Sequence, residues 1–150
     1  MAFIYKQISP SEIDTLKSLL KVFGEAFEDT STYQNNIPND SYLKNLLSKE
    51  NFIALVATAD TEVVGGLVAY ELEKFEQERK EIYIYDLAVS ANYRRQGVAT
   101  SLINKLKEIA KERKAYVIYV QADHGDEPAI KLYESLGTKE DVYHFDIGIE

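Results

Sequence analysis

The sequence predicts an α/β (α+β) fold in which a mixed β-sheet is covered by helices. Two observations indicate it. The runs Phe52–Thr58 and Val63–Leu72 have the composition of two strands joined by a short turn, which predicts an antiparallel hairpin. From Ile82 onward, strand-like and helix-like segments alternate, which favours a mixed sheet with helices packed on it. No repeat or Pro/Gly-rich linker divides the 150 residues, so we expect a single domain over residues 1–150.

The N-terminal half supplies the first strand and two helices of this prediction. Phe3–Gln7 can start the sheet, and Ser9–Glu12 then combines a capping box with a proline at the first helical position. Apolar residues at helical spacing continue that helix to Phe27. The polar stretch from Glu28 to Asp40 has the composition of a loop. A second, short helix is expected to follow and to reach Leu47.

The C-terminal half supplies the alternating segments. Ile82–Val89 is rich in β-branched and aromatic residues, which is typical of a buried strand. Apolar residues from Val98 to Ala110 recur at helical spacing. We expect a strand at Tyr116–Ala122, a helix from Asp126 to Gly137 and a last strand at Tyr143–Ile147.

The turn between the strand at 82–89 and the following helix predicts an anion-binding site. The first N–H groups of a helix have no partner within it, and its dipole presents a positive end there. Glycine at position 97 allows close approach of a phosphate, and arginine and threonine side chains add donors. The predicted ligand-binding residues are Arg94, Arg95, Gln96, Gly97, Val98, Ala99 and Thr100. The alternative is an ordinary strand-to-helix turn with a surface arginine pair.

The same turn resembles a family signature. Arg94-x-x-Gly97-x-Ala99 is similar to the acetyl-CoA-binding motif of the GNAT superfamily of N-acetyltransferases. The helix from Asp126 to Gly137 resembles the second GNAT motif, an Ala-x-x-Leu-Tyr helix ending at glycine. This resemblance implies acetyl-CoA as the acetyl donor and no metal. It also implies a GNAT fold: a mixed, mostly antiparallel sheet with splayed central parallel strands, flanked by about four helices.

A narrower resemblance covers residues 75–146, which look like the aminoglycoside 3-N-acetyltransferases of this superfamily. The marks are Lys74-Phe75-Glu76-Gln77, the strand Ile82–Val89, the run Tyr116–Asp123 and His144-Phe145-Asp146. The resemblance implies a polycationic acceptor, a role in antibiotic resistance and a homodimer to which the C-terminal strands could contribute.

Acetyl transfer to an amine requires a proton acceptor, a donor to the thioester oxygen and a donor to the departing sulfur. Asp86 is the expected base, since it ends an apolar strand where a carboxylate is costly to bury, although a cap or salt bridge would also explain it. A β-bulge near residues 86–89 would turn backbone N–H groups toward the cofactor, with Leu87 and Val89 as the expected backbone contacts. Ala88, between them, is also expected to line the cofactor site. Tyr133, in the Leu-Tyr motif, resembles the GNAT general acid, and packing in the core is its alternative role.

Acidic residues are the candidates for holding a polycationic acceptor, because each charge-assisted bond contributes about 1.5 to 3 kcal/mol when shielded from water. Any one of them is also explained as a solvated surface charge. The predicted acceptor-binding residues are Glu28, Asp29, Asp86, Asp123, Asp126, Glu127 and Asp146.

Composition narrows the class of protein. The net charge of −8 argues against binding nucleic acid and favours cationic partners, although solubility alone explains most acidic surfaces. No apolar run approaches the roughly 20 residues of a membrane span, and the absence of cysteine excludes a Cys-based zinc site. We therefore expect no membrane partner and a cytoplasmic location.

Three functions remain open at this level. The first is an acetyl-CoA-dependent aminoglycoside 3-N-acetyltransferase. The second is a GNAT enzyme for a polyamine or another small amine, since fold and cofactor site do not determine the acceptor. The third is a non-catalytic acetyl-CoA-binding module.

Overall fold

The computed structural model describes residues 2–150, and these form a five-stranded sheet with helices on both faces. The strands lie in chain order across the sheet: β1 (Ile4–Gln7), β2 (Phe52–Ala59), β3 (Glu62–Glu73), β4 (Lys80–Val89) and β5 (Ala115–Val120). The helices are α1 (Ile13–Ala26), α2 (Thr30–Tyr33), α3 (Asp40–Leu47), α4 (Val98–Glu112) and α5 (Glu127–Leu136). Strands β1 to β4 pair antiparallel, whereas β4 and β5 pair parallel. The predicted α/β (α+β) class is confirmed.

Apolar stripes on the helices create a core on each face of the sheet. On one face, α1 and α3 bury leucines and Phe23 against alternate residues of β2 and β3. On the other face, α4 buries Leu102 and Leu106 against Leu55, Leu67 and the inward residues of β4. The candidate site lies toward the C-terminal end of β4.

A glycine on β3 lets α1 lie close to the sheet. A Cβ atom at Gly66 would be 2.5 Å from both the Leu19 Cδ1 atom and the Leu55 carbonyl oxygen. Such distances are shorter than any van der Waals contact, so any other residue would force the helix or the strand to move.

Two details differ from the sequence prediction in the N-terminal half. Helix α1 begins at Ile13, because Ser9–Glu12 form a turn in which the Glu12 carboxylate accepts the Ser9 N–H at 3.0 Å. The segment predicted as a loop, 28–40, contains the short helix α2. Asp29 caps that helix by accepting the Thr32 N–H at 3.2 Å.

The predicted strand at Tyr143–Ile147 is wrong for the described residues. The segment after Gly137 forms no helix or strand and pairs with no strand among residues 2–150, and β5 is therefore an edge of the sheet. Alternating apolar residues indicate a strand, but a strand also needs a neighbour to receive its backbone hydrogen bonds. Within residues 2–150, no strand lies beside this segment.

Candidate active site

A β-bulge at Tyr85 orients the residues of the site. Val68 of β3 pairs with Asp86 and the next residue, Ala69, pairs with Ile84, so Tyr85 has no partner on β3. The extra residue places Tyr85 and Asp86 on the same face of the sheet, the one covered by α1. The sequence predicts a bulge near residues 86–89, and the structure places it immediately before them.

Strands β4 and β5 separate just beyond the bulge. Their pairing runs from Lys80 and Ala115 to Ile84 and Val120, and no residue within 2–150 pairs with that edge of β4 further along. On the opposite edge, the Ser90 N–H donates to the Val64 carbonyl of β3 at 2.8 Å. Because N–H directions alternate along a strand, those of residues 87 and 89 point away from β3 into the opening. The backbone therefore presents donors where the sequence predicts them.

Asp86 lies at this opening, half-buried on the face of α1. The Tyr33 hydroxyl of α2 donates a hydrogen bond to its Oδ2 atom at 3.0 Å. Burial raises the pKa of Asp86, and the Tyr33 hydrogen bond lowers the same pKa by a smaller amount. The carboxylate is thus more basic than an exposed aspartate and is held in one orientation.

Tyr33 is a site residue that sequence analysis missed. It lies 53 positions before Asp86, in the stretch predicted as loop. Burial, followed by the charge of Asp86, raises the pKa of the Tyr33 hydroxyl above its usual value, so this group stays a hydrogen-bond donor. The available signal was the Asp29-x-x-Thr32 spacing, which is typical of a helix N-terminus and would have placed Tyr33 on a helix.

Tyr133 lies half-buried on α5 and packs against the core that α4 covers. Burial raises the pKa of its hydroxyl to about 12, with smaller contributions from the charges of Asp126 and Asp86. The influence of Asp86 indicates that the two candidate catalytic groups share one electrostatic environment. Asp86 lies on the face of the sheet that α1 covers, whereas Tyr133 packs on the face that α4 covers.

The anion-binding turn predicted at residues 94–100, which we call the cradle, contains an open helix N-terminus. Gly97 is the N-cap of α4 and adopts a left-handed conformation with φ of 80°. A Cβ atom added there would meet nothing within 4 Å, so the space in front of the helix is open. Among residues 2–150, no acceptor takes the backbone N–H groups of residues 96–100. Five donors at the positive end of a long helix fit a phosphate-bearing ligand.

The two arginines beside the cradle differ in their surroundings. The Arg94 Nε atom donates to the Val89 carbonyl at 3.0 Å, which ties the cradle to the end of β4. Arg95 is exposed and has a φ of 62°, a left-handed conformation that is uncommon for arginine. Arg94 therefore has a structural hydrogen bond in addition to the ligand contact that the sequence predicts for it.

The predicted acceptor-binding carboxylates are not all brought together. Asp29 caps α2, and its charge contributes to the raised pKa of Tyr33. Asp126 accepts the Ala129 N–H at 3.4 Å as the cap of α5 and affects Tyr133. Glu28, Asp123 and Glu127 are exposed.

Asp146 lies apart from these groups. Its carboxylate is 3.0 Å from the His144 Nε2 atom on the exposed C-terminal segment. Its charge does not contribute to the pKa of Asp86 or of Tyr133.

A group of tyrosines beside Asp86 also escaped the sequence analysis. The rings of Tyr83 and Tyr119 stack with centroids 4.7 Å apart, and Tyr85 makes edge contacts with Tyr83 and Tyr70. The Tyr83 hydroxyl donates to the Gln121 Oε1 atom at 3.3 Å. The alternation of tyrosines within β4 was the available signal, but only the parallel register places Tyr119 next to Tyr83.

None of the helices in the described part of the chain is both long and apolar enough to cross a membrane. Residues 2–150 contain no group of three His, Cys, Asp or Glu side chains arranged to hold a metal ion.

Comparison with known proteins identifies the family and several relatives. A family model described as "Acetyltransferase (GNAT) family" matches residues 16–138. An uncharacterized N-acetyltransferase of Archaeoglobus fulgidus is 29% identical over 133 residues, which span 86% of this chain and 90% of that protein. The uncharacterized N-acetyltransferase YhfO of Bacillus subtilis is 24% identical over 136 residues, with coverage of 91% and 89%.

Solved structures agree with this assignment. The crystal structure of an aminoglycoside acetyltransferase from an uncultured soil metagenomic sample has a TM-score of 0.98 and 55% identity, covering 100% of both chains. A second aminoglycoside acetyltransferase from such a sample, in complex with sisomicin, has a TM-score of 0.91 and 31% identity, covering 99% of this chain and 97% of that one. With the GNAT model matching most of its length and its fold shared with these enzymes, the chain belongs to the GNAT family of N-acetyltransferases.

Proposed function

We propose that this enzyme is an aminoglycoside 3-N-acetyltransferase that confers resistance to the drugs it modifies. The observation that carries the proposal is that a carboxylate, Asp86, and a helix N-terminus with free N–H groups occur at one opening of the sheet. The solved aminoglycoside acetyltransferases that this chain resembles support the acceptor class. The motifs from Lys74 to Asp146 support the 3-amino position.

The GNAT family uses acetyl-CoA, which supplies an acetyl group already activated as a thioester. We propose that the N–H groups of residues 96–100 and the side chains of Arg94, Arg95, Gln96 and Thr100 hold its pyrophosphate. The buried Val98 and the small Ala99 keep the first turn of α4 compact beside it. Leu87, Ala88 and Val89 line the extended part of the ligand, and the N–H of Leu87 donates to the acetyl oxygen. Removal of such a donor typically lowers a rate about 10² to 10³-fold.

Asp86 is proposed to take the proton from the attacking amine, directly or through one water. An amine attacks only in its neutral form, so a base with a pKa raised toward neutrality is better suited than an exposed aspartate. Tyr33 holds the carboxylate through Oδ2, which leaves the other oxygen of Asp86 free to face the acceptor. Tyr33 is therefore a positioning residue in this proposal.

Tyr133 is proposed to donate a hydrogen bond to the departing sulfur. Its hydroxyl, with a pKa raised to about 12, stays protonated across the working pH range. A thiol of ordinary pKa, about 8.5, is the stronger acid, so complete proton transfer from Tyr133 is unfavourable. We therefore propose a hydrogen bond that stabilises charge on sulfur, with the solution providing the proton afterwards.

The acidic surface is proposed to hold the other amines of the drug. Asp29, at the start of α2, and Asp126, at the start of α5, are proposed to contribute, since their charges act on Tyr33 and Tyr133 respectively. Glu28, Asp123 and Glu127 extend this acidic border, and the net charge of −8 attracts a polycation from a distance. The stacked tyrosines beside Asp86 provide flat surfaces for sugar rings. Acetylation converts a cation into a neutral amide and so removes charge that the drug uses to bind RNA.

Further expectations belong to the same proposal. The enzyme is proposed to work in the cytoplasm, as a single domain over residues 1–150, as a homodimer, and with neither nucleic acid nor a membrane as partner.

The proposal is tested by measuring CoA release from acetyl-CoA with gentamicin, sisomicin and spermidine as separate acceptors. We expect turnover with the two drugs, and NMR of the product should place the acetyl group on the 3-amine. Turnover with spermidine alone would indicate the small-amine enzyme, and CoA binding without release would indicate a binding module. Acetylation at another amine would refute only the 3-N assignment.

The variant Asp86→Asn tests the proposed base. We expect kcat to fall about 10² to 10⁴-fold, as is typical for removal of a general base. The acid limb of the pH profile should also disappear. An unchanged profile would show that another carboxylate accepts the proton.

A further inference from the structure

Helix α2 and the residue after it pack against the last turns of α1 at a buried glycine, Gly24. A Cβ atom at Gly24 would lie 3.2 Å from the Gln34 Cγ atom and 3.3 Å from the Tyr33 Cβ atom. Both distances are shorter than an ordinary van der Waals contact, so a side chain here would displace its neighbours by a few tenths of an ångström. The absence of a side chain at Gly24 therefore sets how closely Tyr33 approaches α1.

The helix that contains Gly24 gives no reason for a glycine at this position. Gly24 lies inside α1 and does not adopt the left-handed conformation that favours glycine. Glycine in a helix interior is less stable than alanine, because it loses more conformational freedom on folding. What glycine provides here is space for Tyr33 and Gln34.

Further contacts attach α2 to the same end of α1. The Asp29 N–H donates a hydrogen bond to the Gly24 carbonyl oxygen at 2.9 Å, just before α2 begins. The Tyr33 ring packs against the rings of Phe23 and Phe27, with centroids 5.9 and 5.6 Å away. Backbone and ring contacts both hold α2 here, so the packing at Gly24 determines where Tyr33 begins its reach toward the sheet.

The other end of the same tyrosine holds Asp86. The Tyr33 hydroxyl donates to the Asp86 Oδ2 atom at 3.0 Å, which is the long end of the usual range for a hydrogen bond between two oxygen atoms. A displacement of a few tenths of an ångström at Gly24 would therefore weaken this bond. The bond thus depends on the strand register at Asp86 and on the helix packing at Gly24.

The surroundings of Asp86 contain no second hydrogen-bond donor that could replace Tyr33. Helix α1 contributes buried apolar side chains to this face of the sheet. The other titratable side chains that interact with Asp86 or Tyr33 are Asp29 before α2, Tyr70 of β3, Tyr83 and Tyr85 of β4, and Tyr133 of α5. Among residues 2–150, Tyr33 alone donates to the Asp86 carboxylate. Burial raises the pKa of Asp86 and the Tyr33 bond lowers it, so loss of that bond raises the pKa further.

We propose that Gly24 is a positioning residue for acetyl transfer, because its missing side chain lets α2 pack closely enough for Tyr33 to hold the Asp86 carboxylate. The inference rests on the proposed function only for the role of Asp86 as the base. It links the proton affinity of that base to the packing of two helices on the acceptor side of the sheet.

The variants Gly24→Ala and Gly24→Leu test this by adding a small and a large side chain. The pKa of Asp86 is measured from its carboxyl resonance by ¹³C NMR, with Asp86→Asn to assign the resonance. We expect this pKa to rise in Gly24→Ala and to rise more in Gly24→Leu, up to the value in Tyr33→Phe. Ser18→Ala is the control, since it also favours the helical state of α1 but at an exposed position, and should leave the pKa unchanged.

A double variant shows whether the effect passes through Tyr33. Gly24→Ala should cause no further rise when Tyr33 is already phenylalanine, because the bond is then absent. An unchanged pKa in a folded Gly24→Ala, or an equal rise with and without the Tyr33 hydroxyl, would overturn the proposal and leave the proposed function intact. Circular dichroism confirms folding, and Gly24→Ala alone suffices if Gly24→Leu does not fold.

Steady-state kinetics then separates this inference from the proposed function. The acid limb of kcat/KM, measured by CoA release, should move to higher pH by the same amount as the pKa from NMR. If the pKa rises while the acid limb stays in place, Gly24 positions Tyr33 as described, but Asp86 is not the base. That result would refute both the base assignment and the catalytic role of Gly24.

Discussion

Replacement of Gly97 by aspartate should weaken CoA binding while leaving the stability of the free enzyme almost unchanged. The residue has a φ of 80°, and a Cβ there would meet no atom within 4 Å, so a side chain fits without a clash. Aspartate and asparagine tolerate the left-handed conformation better than most residues, which cost about 1–2 kcal/mol there. Aspartate at a helix N-terminus also gains about 0.3–1 kcal/mol from the dipole. The free enzyme should therefore lose little stability.

The expected loss of affinity follows from the charge. Two negative charges about 4 Å apart repel by about 1 kcal/mol in water and by about 4 kcal/mol at an effective dielectric of 20. Gly97 is exposed, although the helix behind it excludes water on one side. The repulsion energy therefore lies between these two limits. We expect CoA to bind Gly97→Asp about 10 to 100-fold more weakly than Gly97→Asn, since 1.4 kcal/mol corresponds to a factor of 10.

Isothermal titration calorimetry with CoA measures this difference, and thermal unfolding measures the stability of both variants. Gly97→Asn is the matched control because it has the same size without the charge. The ratio of the two dissociation constants should decrease as salt rises, since the screening length is about 10 Å at 0.1 M and about 3 Å at 1 M. Equal affinities in two folded variants would refute the assignment of the pyrophosphate to this turn.

Three further predictions concern the catalytic groups and the core. Tyr33→Phe removes a hydrogen bond that lowers the pKa of Asp86, so that pKa should rise and the acid limb of kcat/KM should move to higher pH; an unmoved limb would contradict a positioning role. Tyr133→Phe should lower kcat with little change in KM for acetyl-CoA, in steady-state kinetics, because the lost bond forms mainly as sulfur departs; a change confined to KM would indicate a binding role. Gly66→Ala should destabilise the fold by about 1–3 kcal/mol, seen as a lower Tm, because its Cβ would lie 2.5 Å from the Leu55 carbonyl oxygen.

Local sequence patterns determined the parts of the site that depend on neighbouring residues. The arginine-glycine-alanine spacing before an amphipathic stretch predicts an open helix N-terminus at Gly97, and the structure has one, with Gly97 in the left-handed conformation. These features depend on a few consecutive residues, and glycine is the residue suited to that backbone conformation. The strand that carries Asp86 was predictable for the same reason.

Long-range contacts decided the rest. The Tyr33 hydrogen bond to Asp86 joins positions 53 residues apart, and the bulge at Tyr85 exists only relative to the register of β3. The strand predicted at Tyr143–Ile147 shows the same limit, because its alternation is clear while no strand among residues 2–150 pairs with it. The sequence by itself determined the open N-terminus of α4 at Gly97, the strand that carries Asp86 and the alternation of apolar residues from Tyr143 to Ile149. Only the tertiary structure decided which groups meet at Asp86 and which edge stays open, because those depend on register and on contacts between distant segments.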